Sequence, residues 1–193
     1  MKSAFFGFLL STAVVVPAMA ALQQGDVAPN FKTQASLAGK EFTFSLGDAL
    51  KKGPVVVYFY PSAYTRGCNV QAHTFAVNYD KFTAVGASVV GVSLDDIARL
   101  NEFSADPEFC AGKLPVASDT SGKIAQSFDL QVKGPSADMK DTRGAQIAHG
   151  FAERTTFIVL PNGKIAETIG GVSPTDNVQK ALEAVQRLAA NKQ

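Results

Sequence analysis

The sequence predicts an α/β fold in which a mixed central sheet is flanked by helices, and three observations predict it. Two short runs, Val55–Tyr60 and Ala87–Ser93, are apolar or small at nearly every position, as in strands buried on both faces. Segments with helical spacing alternate with these runs. The chain then closes with a hairpin and a helix, which sets an antiparallel pair beside the parallel strands.

Taken in order, Phe42–Phe44 alternates like a short strand, and Asp48–Lys52 has room for one helical turn before Gly53-Pro54 stops it. After the Val55 run, Pro61 opens a loop. Ala72, Phe75, Ala76, Tyr79 and Phe82 then recur at three-to-four spacing and predict a helix. Ala87–Ser93 is the second buried strand, followed by a helix over Asp95–Phe103, a short strand at Pro115–Ser118 and a short helix over Ser121–Phe128. Residues Gln131–Gly150 are polar, rich in Gly and Lys, and without period, which predicts a long loop of the functional or mobile kind. Thr155–Leu160, Pro161-Asn162-Gly163 and Lys164–Ile169 read as strand, turn and strand. Ser173 caps a last helix with Pro174 at its first position and Val178, Leu182, Val185 and Leu188 as its buried stripe. No internal repeat or low-complexity tract interrupts this order.

Composition narrows the function classes. The 193 residues carry 18 Lys and Arg against 17 Asp and Glu, a net charge of +1, without the basic excess that phosphate backbones demand. A hydrophobic content of 46% with balanced charge excludes disorder. Two Cys and two His are too few for a four-thiolate zinc or iron–sulfur site. Residues 1–20 read as an export signal: Lys2 at the start, an apolar run over Ala4–Val16, then Ala18-Met19-Ala20 as the small-x-small site, with cleavage near Ala20. The run is too short to span a bilayer, which weighs against the competing reading of an uncleaved anchor and against stable membrane insertion. The expected mature chain, 21–193, is a single domain in the periplasm or secreted, where disulfides are permitted.

The chemistry concentrates at one strand-to-helix junction. The Val55 strand delivers the chain to Pro61, and Thr65 and Cys68, three apart, share one face of the first helical turn. A helix start offers unpaired N–H groups and positive partial charge, which favour a nucleophilic thiolate over a thiol. Thr65 adds a hydroxyl for a small oxygen substrate, and Pro61 stiffens the pocket wall without an N–H to compete. A buried structural cysteine packed behind the strand is the alternative that local physics leaves open.

Pro61-x-x-x-Thr65-x-x-Cys68 after an apolar strand resembles the peroxidatic motif of the peroxiredoxins. Ala28-Pro29-Asn30-Phe31, Gly91-Val92-Ser93 and Arg154-Thr155-Thr156-Phe157 extend the resemblance over residues 25–190, closest to the bacterioferritin-comigratory-protein branch. It implies a thioredoxin fold with a peroxiredoxin-type N-terminal extension. The implied activity is thiol-based reduction of hydrogen peroxide and organic hydroperoxides, without metal, haem or other cofactor. By the same resemblance Cys68 is the peroxidatic cysteine, Thr65 the hydroxyl that bonds peroxide and thiolate, Pro61 the shielding proline and Arg154 the arginine that reaches the pocket. A guanidinium there favours the thiolate and stabilises charge on the leaving oxygen. Two positions depart from the pattern: Arg66 where the family often has Pro, and Gln71 where it commonly has an acid.

Peroxide turns a thiolate into a sulfenic acid, which a second thiol must resolve. The resemblance implies Cys110, by region rather than by motif, as the resolving cysteine in an intramolecular Cys68–Cys110 disulfide. An external thioredoxin-like or other dithiol reductant would recycle it. A permanent Cys68–Cys110 staple, on an exported thioredoxin-like exchange or binding protein, and an inert Cys110 are the alternatives. Cys68 lacks the Cys-x-x-Cys or Cys-x-x-x-Cys of exchange proteins and copper chaperones, which favours the peroxidase. The family includes monomers and homodimers. His73 is expected on the surface or at a subunit contact, His149 as a solvated loop residue. Asp95, Asp96 and Asp119 show no spacing for acid–base or metal work, and Phe31, Phe42 and Phe44 are expected in the core.

Overall fold

The computed structural model describes residues 21–191; residues 1–20, read above as an export signal, lie outside them. The elements are β1 (Lys32–Leu37), β2 (Lys40–Ser45), α1 (Leu46–Leu50), β3 (Val55–Phe59), α2 (Arg66–Ala84), β4 (Ser88–Ser93) and α3 (Ile97–Ala105). They continue with β5 (Val116–Ser118), α4 (Lys123–Ser127), β6 (Val132–Lys133), β7 (Phe151–Ala152), β8 (Thr155–Val159), β9 (Ile165–Gly170) and α5 (Pro174–Ala190). Seven strands form one sheet in the order β2-β1-β5-β4-β3-β8-β9. β3, β4 and β5 run parallel, while β8, β9, β1 and β2 pair antiparallel, so the sheet is mixed as the sequence predicts.

The all-apolar β3 is explained by its place inside the sheet, between β4 and β8. Val56 and Tyr58 join one core with Phe75 and Phe82 of α2, Phe103 of α3 and Leu182 of α5. Val55, Val57 and Phe59 face the other side, against Leu46 and Leu50 of α1 and Ala125 of α4. Strand alternation thus feeds two helical layers from one strand. Gly91 of β4 makes this possible, because a Cβ there would stand 2.5 Å from the Tyr58 ring. The Pro161–Gly163 turn behaves as its residues require: Gly163 has φ +80° and its N–H donates to Leu160 O at 2.8 Å. Ser173 Oγ accepts the Asp176 N–H at 3.1 Å with Pro174 in the first turn, fixing the start of α5.

The departures have physical causes. β1 carries the polar sequence Lys32-Thr33-Gln34 and gives no strand signal by itself; it forms because β2 and β5 supply both hydrogen-bonding edges. α1 begins at Leu46, earlier than expected, because Ser45 caps it by accepting the Asp48 N–H. Phe31 and Phe44 are buried, but Phe42 is 39% exposed on the outer strand β2. The stretch 131–150 is largely irregular, yet β6 at its start pairs with β7 just beyond its end, closing it into a loop.

Candidate active site

β3 ends at Phe59, and the loop from Tyr60 carries the chain to α2, whose third residue is Cys68. Thr65 is the N-cap, but its hydroxyl donates to Ser62 O at 2.9 Å and makes no side-chain cap to the helix. The first helical bond, Asn69 N–H to Thr65 O at 2.8 Å, leaves the amides before Asn69 without intrahelical acceptors. Cys68 is a free thiol only 2% exposed. Arg154, the residue before β8, donates from Nη2 to Cys68 Sγ at 3.4 Å. β8 pairs directly with β3, and this register carries the guanidinium from a distant part of the chain to the start of α2. Gly67 keeps the approach open, since a Cβ there would lie 3.1 Å from Arg154 Nη2. Pro61 and Arg154 line one cavity of about 310 Å³, with Lys133, Phe151 and Glu153 on its other walls.

Gln71 is the residue beside the site whose contacts the sequence did not place. It is fully buried one turn after Cys68, and its Oε1 accepts from Arg154 Nη1. Its Nε2 donates to Asn177 Oδ1 at 2.9 Å; the same oxygen accepts from Thr156 Oγ1 at 2.6 Å, and Asn177 Nδ2 donates to Ile169 O at 3.0 Å. The departure from an acid therefore keeps the guanidinium in place by a neutral amide and leaves its charge directed at the sulfur. Arg66, the first residue of α2, is exposed. The sequence marked Gln71 only as a departure from the family's acid, three residues after Cys68, and gave no partner for it.

Cys110 lies in the turn after α3, fully buried and also a free thiol, so the two sulfurs are not bonded to each other here. Burial, and then the charge of Asp106, push the Cys110 thiol far above its ordinary range. Both cysteines belong to the core that includes Tyr58. Burial and then the charges of Cys110 and Cys68 push the Tyr58 phenol well up, so its hydroxyl stays protonated. His73 is exposed, as expected, and its Nδ1 donates to Glu108 O at 2.9 Å, joining α2 to the segment that carries Cys110. His149 is not solvated: it is half-buried against Asp95, 2.8 Å away.

The fold and site together define a thioredoxin-like protein with one thiol at a sheet-to-helix junction, faced by an arginine. The model of the AhpC/TSA family matches residues 24–168. The chain is 39% identical to a chloroplastic peroxiredoxin Q of Populus jackii, covering 97% of this chain and 84% of that protein. It is 31% identical to the chloroplastic peroxiredoxin Q of Oryza sativa subsp. japonica, covering 94% and 82%. Among solved structures, peroxidoxin BcpB from Mycobacterium tuberculosis superposes with a TM-score of 0.69 at 27% identity, covering 86% of this chain and 97% of that one. Xanthomonas campestris peroxiredoxin Q superposes with a TM-score of 0.63 at 27% identity, covering 81% and 90%. The chain belongs to the AhpC/TSA family, with relatives of the peroxiredoxin Q and bacterioferritin-comigratory-protein kind, and is a thiol-dependent peroxidase.

Proposed function

We propose that Cys68 is the peroxidatic thiol, acting on hydrogen peroxide and organic hydroperoxides. The observation that carries this is the Arg154 guanidinium 3.4 Å from Cys68 Sγ, at a helix start whose amides have no acceptor of their own. Both stabilise negative charge, first on the thiolate and then on the oxygen that leaves. The thiolate attacks the terminal oxygen of the hydroperoxide, the S–O bond forms as the O–O bond breaks, and the departing alkoxide or hydroxide takes up a proton. Cys68 is left as sulfenic acid. Thr65 supports this step: its hydrogen is committed to Ser62 O, so its oxygen is free to accept from the incoming hydroperoxide. Pro61 shields one wall.

Cys110 then condenses with the sulfenic acid, releasing water and forming an intramolecular disulfide that an external dithiol reduces. A fully buried thiol pushed upward by burial is a poor nucleophile where it stands. The start of α2 and the turn at Cys110 must therefore unwind locally before the sulfurs meet. The cleaved export signal, and residues 21–193 as the mature single domain, complete the proposal. Their support is the Lys2, apolar run and Ala18-Met19-Ala20 pattern. The test is stopped-flow peroxide consumption by wild type and Cys68→Ser, with mass spectrometry before and after one peroxide equivalent. Loss of one equivalent that requires Cys68, and a 68–110 bridge in the wild type, are expected; equal consumption by Cys68→Ser overturns the assignment.

A further inference from the structure

Behind the Pro61–Thr65 loop lies a buried polar cluster that the cysteine chemistry does not use. Asp95, just past β4, is fully buried. Its Oδ1 accepts from Ser62 Oγ and from His149 Nε2, each at 2.8 Å, and its Oδ2 from Ala63 N–H and Ser93 Oγ, each at 2.7 Å. Arg99 Nε also lies 2.9 Å from Oδ1, but its N–H is off the hydrogen-bond line, so this contact is charge attraction. Arg99 Nη2 donates instead to Ala63 O and to Asp141 Oδ2, both at 2.8 Å.

These bonds converge on a strained backbone. Tyr64 has φ +59°, a left-handed conformation that bulky residues rarely adopt. Its carbonyl accepts both the N–H and the hydroxyl of Thr142 at 2.8 Å, and the Arg143 guanidinium lies 3.3 Å over its ring. Next to it, Ala63 is held at both N–H and C=O, and Ser62 O receives the Thr65 hydroxyl. The loop 131–150 and the end of β4 thus grip the residues that set Thr65 at the start of α2.

We propose that Asp95, with His149 as its removable counter-cation, is a positioning residue for the peroxide-binding loop. It holds Ser62 and Ala63 so that Thr65 stays fixed beside Cys68. The proposal rests on the reading of Cys68 as the attacking thiol. The geometry of His149 carries it: Nδ1 lies 2.7 Å from Gly150 O and Nε2 2.8 Å from a carboxylate oxygen. Both ring nitrogens face acceptors, with Ser62 Oγ also 3.4 Å from Nε2, and only the doubly protonated ring can donate to both acceptors at once. Losing one proton leaves one of these contacts as two opposed lone pairs, and the grip loosens.

The surrounding charges favour that cation. Facing it are Asp95 beyond β4 and Arg99 of α3, whose charge is already spent on Asp95 and Asp141. Across a cavity of about 470 Å³ stand Asp96, Glu102 and Arg143, the last paired with Glu102 at 2.8 Å and with Asp141 at 3.4 Å. Four carboxylates thus meet two guanidiniums before His149 is counted. Burial acts to lower the His149 pKa, but the hydrogen bond and charge of Asp95 outweigh it and hold it above the ordinary value. Burial acts to raise Asp95, and His149 followed by the Ala63 N–H outweighs that and holds it below the ordinary carboxylate range. The clamp is therefore complete below the ordinary histidine value, about 6.5, and is lost as pH rises through the raised one.

The test measures the rate of peroxide consumption from about pH 5 to pH 9 for wild type, His149→Ala, His149→Gln and Asp95→Asn, beside an NMR titration of the His149 ring and hydrogen exchange at the Ala63 amide. The wild-type rate should fall in step with the His149 titration. His149→Ala should be slower by about 10-fold to 100-fold at low pH and lack that step. His149→Gln, which keeps a donor that does not titrate, should recover part of the rate with a flat profile. A step that persists in His149→Ala, or an Ala63 amide equally protected in wild type and His149→Ala, overturns the proposal. If Asp95→Asn fails to fold, the His149 variants decide. If wild-type consumption proves independent of Cys68, the assignment of the thiol fails instead, while the Ala63 exchange still decides the clamp.

Discussion

Cys68 and Cys110 sit in one apolar core and are almost equally hidden, at 2% and 0% exposure, yet the chain treats them in opposite ways. Cys68 stands in the first turn of a long helix, with a guanidinium on its sulfur and a buried amide holding that guanidinium. Cys110 stands in a turn after a helix, where burial and the nearby Asp106 carboxylate oppose its ionisation. Depth is therefore the same for both thiols. What differs is the sign of the group that faces each sulfur, a guanidinium at Cys68 and a carboxylate near Cys110.

The sharpest way to break this contrast is to remove each sulfur in turn. Cys68→Ser should lower peroxide consumption by about 10⁴-fold or more. Cys110→Ser should still consume one equivalent and then stall as sulfenic acid, seen as a stable mass increase of one oxygen and little turnover with dithiol. If Cys110→Ser turns over with dithiol like the wild type, the two thiols do not work as a pair. Arg154→Ala comes next, with an expected loss of about 10²–10³-fold in peroxide rate, the usual cost of one donor to a developing anion. Arg154→Lys should fall between, since a point charge cannot bond Gln71 and the sulfur together.

Gln71→Leu should have a smaller effect, about tenfold on rate, because Arg154 stays present but loses its anchor. The same variant leaves Asn177 Oδ1 with one donor fewer in the core, so its urea midpoint should drop by an amount equivalent to about 1–3 kcal/mol. An unchanged rate with lowered stability would show that Gln71 serves the core and not the site. The mildest test is of stability against pH. Burial raises the Cys110 value in the folded state, so the unfolded chain gives up its proton first as pH rises. The stability this group contributes is complete below the ordinary thiol value, about 8.5, and declines above it. Urea midpoints of the wild type should fall with pH in that window more steeply than those of Cys110→Ala; parallel curves would mean that Cys110 is not desolvated in solution.

Much of this was legible along the chain where one residue's neighbours are also its sequence neighbours. The unbroken apolar run of β3, the cap and proline of α5, and the glycine of the hairpin each fix local backbone on their own. Thr65 and Cys68 could be placed at a helix start from spacing, and Arg154 came only through the family resemblance. His149 was expected to be solvated and Asp95 showed no spacing for acid–base or metal work, because the partner that joins them lies 54 residues away along the chain. β1 was silent for a similar reason, since its polar residues become a strand only between two partners.

What the amino-acid order determined by itself was periodicity and punctuation: where the apolar strands and the longer helices run, where turns fall, and which cysteine begins a helix. What tertiary structure alone decided was the environment of each ionisable group, from the guanidinium beside Cys68 to the carboxylate beneath His149. The physical reason is range. Backbone preference acts over a few residues, whereas desolvation and charge act through space, and only the pairing of β8 with β3 and the closing of the 131–150 loop bring those charges to the helix that carries the thiol.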